Sequence, residues 1–233
     1  MVFRKLENNE IEIWRSCLEV ELPPDEMERL VDEIKSTIGE YFHVQSGLTF
    51  VREAWVACRF AQARGADLVR LLRIDPPDCE LIFKDRRERF EIVEAIELER
   101  RRSDEYNRDI KRRERGEEPL FENDNLDDLE GKAKTMLEYA ATKKASKKYC
   151  NNADFGLIIY LNLGDYGFAT EEIEAGMQVW TTSAKDAFRE IWVIWKEVVY
   201  QLWQDGTPLP KLRYPVIDTK NIDSLTNASK QTL

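Results

Sequence analysis

Three short apolar runs, at residues 68–74, 78–84 and 90–98, follow one another with almost nothing between them. Asp75-Pro76-Pro77 interrupts the chain after the first run, and a charged stretch ending at Arg89 separates the second from the third. Such spacings leave no room for a helix, so they predict three consecutive strands joined by tight connections. The third run carries apolar residues on both of its faces (Phe90, Ile92, Val93, Ala95). That pattern belongs to a strand in the middle of a sheet covered on two sides.

Helical spacing brackets these strands. Phe50, Ala54, Trp55, Ala57, Cys58 and Ala61 predict a helix over 49–64 that stops at Gly65. Leu129, Ala133, Met136, Leu137, Ala140 and Ala141 predict a second, from about 126 to 149. Residues 155–163 then form the most apolar strand candidate in the chain. The resulting order of helix, three strands, helix and strand predicts an α/β fold, with a central mixed sheet flanked by helices. Helical additions are expected at both ends. Residues 1–46 read as an N-terminal helical extension, and Phe188, Ile191, Trp192, Trp195, Val199 and Leu202 predict a long helix over 184–203. The α/β domain then spans 47–205, with 99–127 as a flexible polar insertion holding a long loop or an exposed helix. Residues 206–233 read as a surface tail.

Composition narrows the chemistry. A single histidine, His43, and four cysteines without a Cys-x-x-Cys pair do not provide a Cys/His zinc site, so the cysteines read as core thiols. No G-x-S-x-G elbow accompanies His43, which leaves acid–base work to carboxylates, lysines or tyrosines. The net charge of −10 argues against indiscriminate nucleic-acid binding but leaves room for a local basic face, for which 84–115 and 132–148 are candidates. No run is long enough for a membrane helix and the N-terminus has no apolar signal segment, so a cytoplasmic protein is expected. Trp192, Trp195 and Trp203 are spaced as packing residues rather than as a base-stacking platform.

Two carboxylate-bearing segments stand out. The second strand opens with Pro77-Asp78-Cys79-Glu80, and the third contains Glu91, Glu94 and Glu97. Acids on adjacent strands can share a hard cation such as Mg²⁺, whose remaining positions are filled by water.

The element order, with Pro-Asp at the second strand and an acid in the third, resembles the PD-(D/E)XK, or restriction-endonuclease-like, superfamily over roughly residues 48–165. The resemblance implies Mg²⁺ as cofactor, with Asp78 and Glu94 as its ligands. Glu53 on the first helix is the additional acid, and Glu80 shares the Asp78 face of its strand. The superfamily also places a lysine two residues after the third-strand acid. Here those positions are Val93 and Ile96, so the sequence departs from the pattern, and a lysine of the helix before the last strand, Lys144, is the expected substitute. The implied activity is Mg²⁺-dependent hydrolysis of a nucleic-acid phosphodiester. The competing expectation is a catalytically silent domain of the same fold, serving as a binding or scaffold module.

Overall fold

A computed structural model describes residues 4–98, 102–117, 128–147, 154–164 and 169–216. The chain is α/β, and among the described residues it is built on an open mixed sheet of seven strands with helices on both faces. The helices are α1 (Asn8–Leu18), α2 (Pro24–Ile38), α3 (Thr49–Arg64), α4 (Arg102–Glu114), α5 (Leu129–Ala145) and α6 (Thr170–Trp180). The strands are β1 (Leu68–Leu71), β2 (Cys79–Ile82), β3 (Arg87–Ala95), β4 (Gly156–Leu161), β5 (Glu190–Trp195), β6 (Val198–Gln204) and β7 (Thr207–Pro215). They lie side by side in chain order. The β3–β4 and β4–β5 pairs are parallel and the four others antiparallel. Among the described residues no helix is long and apolar enough to cross a membrane.

Each parallel pair needs a crossover, and α5 and α6 fill them. Both cover one face of the sheet, where Ala133, Met136 and Leu137 of α5 and Ile173 and Met177 of α6 meet Leu157, Ile159, Ile191 and Val193. The other face carries α1, α2 and α3 over Val69, Leu81, Phe90, Ile158 and Trp192. The N-terminal helices therefore share a core with the strands. The alanines of α3, Ala54, Ala57 and Ala61, are all fully buried and bring its backbone close to that core. Gly65, at φ +65°, ends α3 in the left-handed conformation and returns its N–H to Gln62 O, closing the helix directly before β1.

The C-terminal third departs from the sequence-based expectation. Residues 184–203 are not a long helix; most of the segment is the hairpin β5–β6. Glu190–Trp195 is buried at every position, because both sheet faces are covered there. A run that is apolar throughout satisfies helical spacing and strand alternation alike, and here the β-branched and aromatic residues settle into the sheet. Lys196, at φ +58°, turns the chain between β5 and β6, and Asp205-Gly206, at φ +48° and +72°, turns it again into β7. Two successive positive φ values form the tight turn whose twist matches an antiparallel hairpin. Part of the expected tail is thus the edge strand β7, and 217–233 lies outside the described residues. The polar insertion contains α4, while 99–101 and 118–127 also lie outside them. Helix α6 is an element beyond those expected, although Ile173, Met177 and Trp180 have helical spacing.

Candidate metal centre

The site begins with the turn that joins β2 to β3. Phe83 N–H donates to Arg86 O at 2.9 Å, leaving Lys84-Asp85 as a two-residue loop and fixing the pairing beyond it. The register runs Ile82 to Arg87, Glu80 to Arg89 and Cys79 to Phe90. One step further, Asp78 faces Glu91. Asp78 N–H donates to Phe90 O at 3.0 Å, and Ile92 N–H donates to Asp78 Oδ2 at 2.7 Å, so the carboxylate is held against β3.

Alternation along β3 then sorts its acids. Phe90 and Ile92 enter the core beneath α3, whereas Glu91 points to the α5 side and is wholly buried. Lys144, near the end of α5 and itself buried, hydrogen-bonds Glu91 Oε1 through Nζ. Asp75, exposed in the β1–β2 connection, completes the group. Carboxylate oxygens of Asp75, Asp78 and Glu91 lie within 4.8 Å of one another. The centre is thus open to solvent at Asp75 and closed at Glu91. Three carboxylates can hold a metal ion, and an all-oxygen donor set without His or Cys suits a hard cation.

Clustering these acids makes their charges costly. Burial, followed by the neighbouring Glu91 charge, pushes Asp78 up to about 7, against the opposing hydrogen bond from Ile92. Burial also raises Glu53 on α3, where Lys144 opposes the shift and Glu91 and Asp75 add to it. Glu53 is therefore within electrostatic reach of the centre. Acids raised by burial and by one another are a recurrent property of functional sites. The nearby thiol of Cys79, fully buried, is pushed upward in turn, which keeps it protonated and unreactive.

The structure separates residues expected to share one centre. Asp78 lies in the cluster, with Lys144 bonded to Glu91 beside it. Glu94 does not join them. It stands on the α3 face of β3, where Arg52 Nη1 bonds Oε2 and Asn162 Nδ2 bonds Oε1. Three residues along a strand reverse the direction of a side chain, so Glu91 and Glu94 cannot serve the same centre. Glu80 shares the Asp78 face, but Arg70, Arg87 and Arg89 occupy both of its oxygens. Burial works against its charge, yet those three partners outweigh it and hold Glu80 below the ordinary carboxylate range. Glu91 and Asp75 take the places expected for Glu94 and Glu80. Locating the Lys84-Asp85 turn in the sequence would have paired Asp78 with Glu91; nothing in the sequence singles out Asp75. Compared with known proteins, the chain matches no family model, no curated protein and no solved structure.

Proposed function

We propose that this protein is a divalent-metal-dependent hydrolase of nucleic-acid phosphodiesters, with Mg²⁺ the natural cation and a restriction-endonuclease-like arrangement of its centre. One observation carries the reading: an acid at the head of β2, an acid from the middle of β3 and a lysine from α5 converge on one side of the sheet. Asp75, Asp78 and Glu91 would hold the cation. When bound, it supplies Lewis acidity at a phosphoryl oxygen and a lowered pKa for the attacking water.

The protein's own groups divide the remaining work. The Asp78 carboxylate is oriented by the Ile92 N–H, which prevents it from rotating out of the cluster. Lys144 compensates the buried Glu91 charge, which supports the reading that its ammonium does the work of the lysine absent from the third strand. Val93, two residues after Glu91, cannot donate a proton or carry charge, so Lys144 is the cation available for orienting water and stabilising negative charge on the phosphoryl group. Glu53, within electrostatic reach of the centre, has its charge disfavoured by burial.

The test combines calorimetric titration of Mg²⁺ and Mn²⁺ with cleavage assays on single- and double-stranded DNA and RNA. Cleavage should require added cation, and Asp78→Asn should abolish it without unfolding the protein. A folded protein that binds neither cation and cleaves none of these substrates refutes the reading. Binding without cleavage refutes the hydrolase and leaves a metal-binding domain of the same architecture.

A further inference from the structure

The acidic centre occupies one end of a sheet face whose other polar residues are mostly basic. Alternation puts Asp78 and Glu80 together on β2, and Arg87, Arg89 and Glu91 together on β3. The cross-strand register brings Arg70, Glu80 and Arg89 into one row, with Arg87 one pair beyond. Glu80 is buried and anchors three guanidiniums. Its Oε2 accepts from Arg70 Nε at 3.0 Å, Arg70 Nη2 at 2.7 Å and Arg87 Nη1 at 3.0 Å, and its Oε1 accepts from Arg89 Nε at 2.8 Å. Arg87 Nη1 also reaches Glu21 Oε1 at 2.8 Å. Three fixed positive charges thus face two negative ones, an excess of one. The arginine heads stay in solvent, with the side chains of Arg87 and Arg89 50% and 59% exposed. Arg89 uses only Nε on Glu80, and its Nη1 and Nη2 have no partner among the described residues.

Burying a carboxylate beneath three arginines is not an efficient way to stabilise a sheet, since its desolvation offsets much of the attraction. It is an efficient way to hold guanidiniums in fixed rotamers pointing outward. A pre-ordered planar fork loses little entropy on meeting a phosphate and offers it two parallel donors. Along β3, Arg89 follows Glu91 at about 7 Å and Arg87 at about 13 Å. A nucleic-acid strand carries a charge about every 3.4 Å of helix rise, so several phosphates fall within that span.

We propose that Arg89 and Arg87, braced by Glu80 and Arg70, form a backbone-phosphate subsite for a nucleic-acid strand entering the acidic centre. The proposal rests on the hydrolase reading and deepens it. The substrate is an extended polyanion held on one side of the cleaved bond, not a small isolated phosphodiester. Recognition through phosphates is blind to sequence. The net charge of −10 does not prevent it, because at physiological salt charges beyond about 8 Å are screened while the arginines meet the strand in contact.

The test uses fluorescently labelled 20-mers, as single- and double-stranded DNA and as RNA, titrated with the full chain across a salt series. Wild type is compared with Arg89→Ala and with Arg87→Ala/Arg89→Ala. The double variant should bind the preferred 20-mer about tenfold more weakly. Its plot of log affinity against log salt should be shallower by about 1.4 to 1.8, or roughly 0.7 to 0.9 per lost phosphate contact. Arg89→Ala leaves Arg70 and Arg87 on Glu80 and keeps the test available if the double variant fails to fold; its slope should fall by about half as much. Unchanged affinity and slope in a folded variant overturn the proposal, as does a wild type that binds no 20-mer. Mg²⁺ titration and cleavage by wild type are read separately. Arginine-dependent binding without metal binding or cleavage supports the subsite and refutes the hydrolase. Cleavage with an arginine-independent KM for the 20-mer does the reverse.

Discussion

Asp78→Asn should make the metal-free protein more stable at pH 8, although it removes a residue from the proposed centre. In the folded chain Asp78 is raised from its ordinary 3.8 to about 7, by burial first and by Glu91 second. An acid with a raised folded pKa keeps its proton in the native state over a range where the unfolded chain has lost it. Stability from this group is therefore greatest below about pH 4 and falls as pH rises towards 7, and the full cost persists above that. A shift of about three units corresponds to roughly 4 kcal/mol at 1.4 kcal/mol per unit. Asp78 is partly exposed, and asparagine still accepts from the Ile92 N–H, so we expect about 2 kcal/mol. For a chain of this size that is about 4–8 °C in melting temperature. The assay is thermal unfolding in EDTA at pH 5 and pH 8, with and without excess Mg²⁺. Wild type should lose stability between the two pH values and recover it with Mg²⁺, because a ligand that binds only the folded state stabilises it. The variant should respond less to either. A variant that melts at or below wild type at pH 8, with the same pH dependence, would refute the argument that burial and the Glu91 charge disfavour the Asp78 carboxylate in the metal-free protein.

Two further substitutions test the geometry around the centre. Glu94→Gln keeps an acceptor for Asn162 and weakens the pairing with Arg52, so we expect a loss of about 1 kcal/mol in denaturant unfolding with Mg²⁺ affinity within about twofold of wild type; abolished metal binding would put Glu94 back in the centre. Gly156→Ala would set a methyl 2.6 Å from the Phe90 ring and 2.8 Å from Glu190 Cγ, forcing Phe90 away from its edge contact with Phe60. We expect a loss of about 1–3 kcal/mol by chemical denaturation, and wild-type stability would refute the packing argument.

What the sequence discloses follows from how many structures each segment can satisfy. Between residues 49 and 98 the breaks at Gly65 and Asp75-Pro76-Pro77 mark the end of α3 and the connection between β1 and β2, and the charged stretch from Lys84 to Arg89 marks the division of β2 from β3. The β5–β6 segment has no such division. Each of Ile191 to Trp195 is apolar, so periodicity has nothing to measure, and the informative signal is the Asp205-Gly206 turn after it. The centre was half legible for a related reason. Pro77-Asp78 marks the head of β2 by itself. Choosing between Glu91 and Glu94 requires the register, which depends on a loop, Lys84-Asp85, that lacks the glycine of commoner hairpin turns. Lys144 comes from a helix more than fifty residues away in the chain, and no spacing rule joins it to Glu91.

The origin of that lysine gives the sharpest test of the chemistry. If Lys144 acts because its ammonium lies beside Glu91, the element that delivers it is immaterial, and a lysine at position 93 should do the same work. Val93 lies on the Glu91 face of β3 and is half-buried against the α5-side core, so the stem of a lysine there can cover the same apolar surface while its head extends towards the centre. Lys144→Met keeps most of the side-chain volume on α5 but removes the Lys144 ammonium from Glu91. Cleavage should fall by about 10² to 10⁴, the range for losing one acid–base or charge-stabilising group. Metal binding should persist, since the three carboxylates remain. Val93→Lys in the Lys144→Met background should recover at least tenfold of the lost rate. Metal affinity and melting temperature are measured alongside, so that a failure of folding is not mistaken for a failure of chemistry. A double variant that is folded and binds metal, yet cleaves no faster than Lys144→Met, would mean that Lys144 acts through the docking of α5 rather than through the charge it places at Glu91.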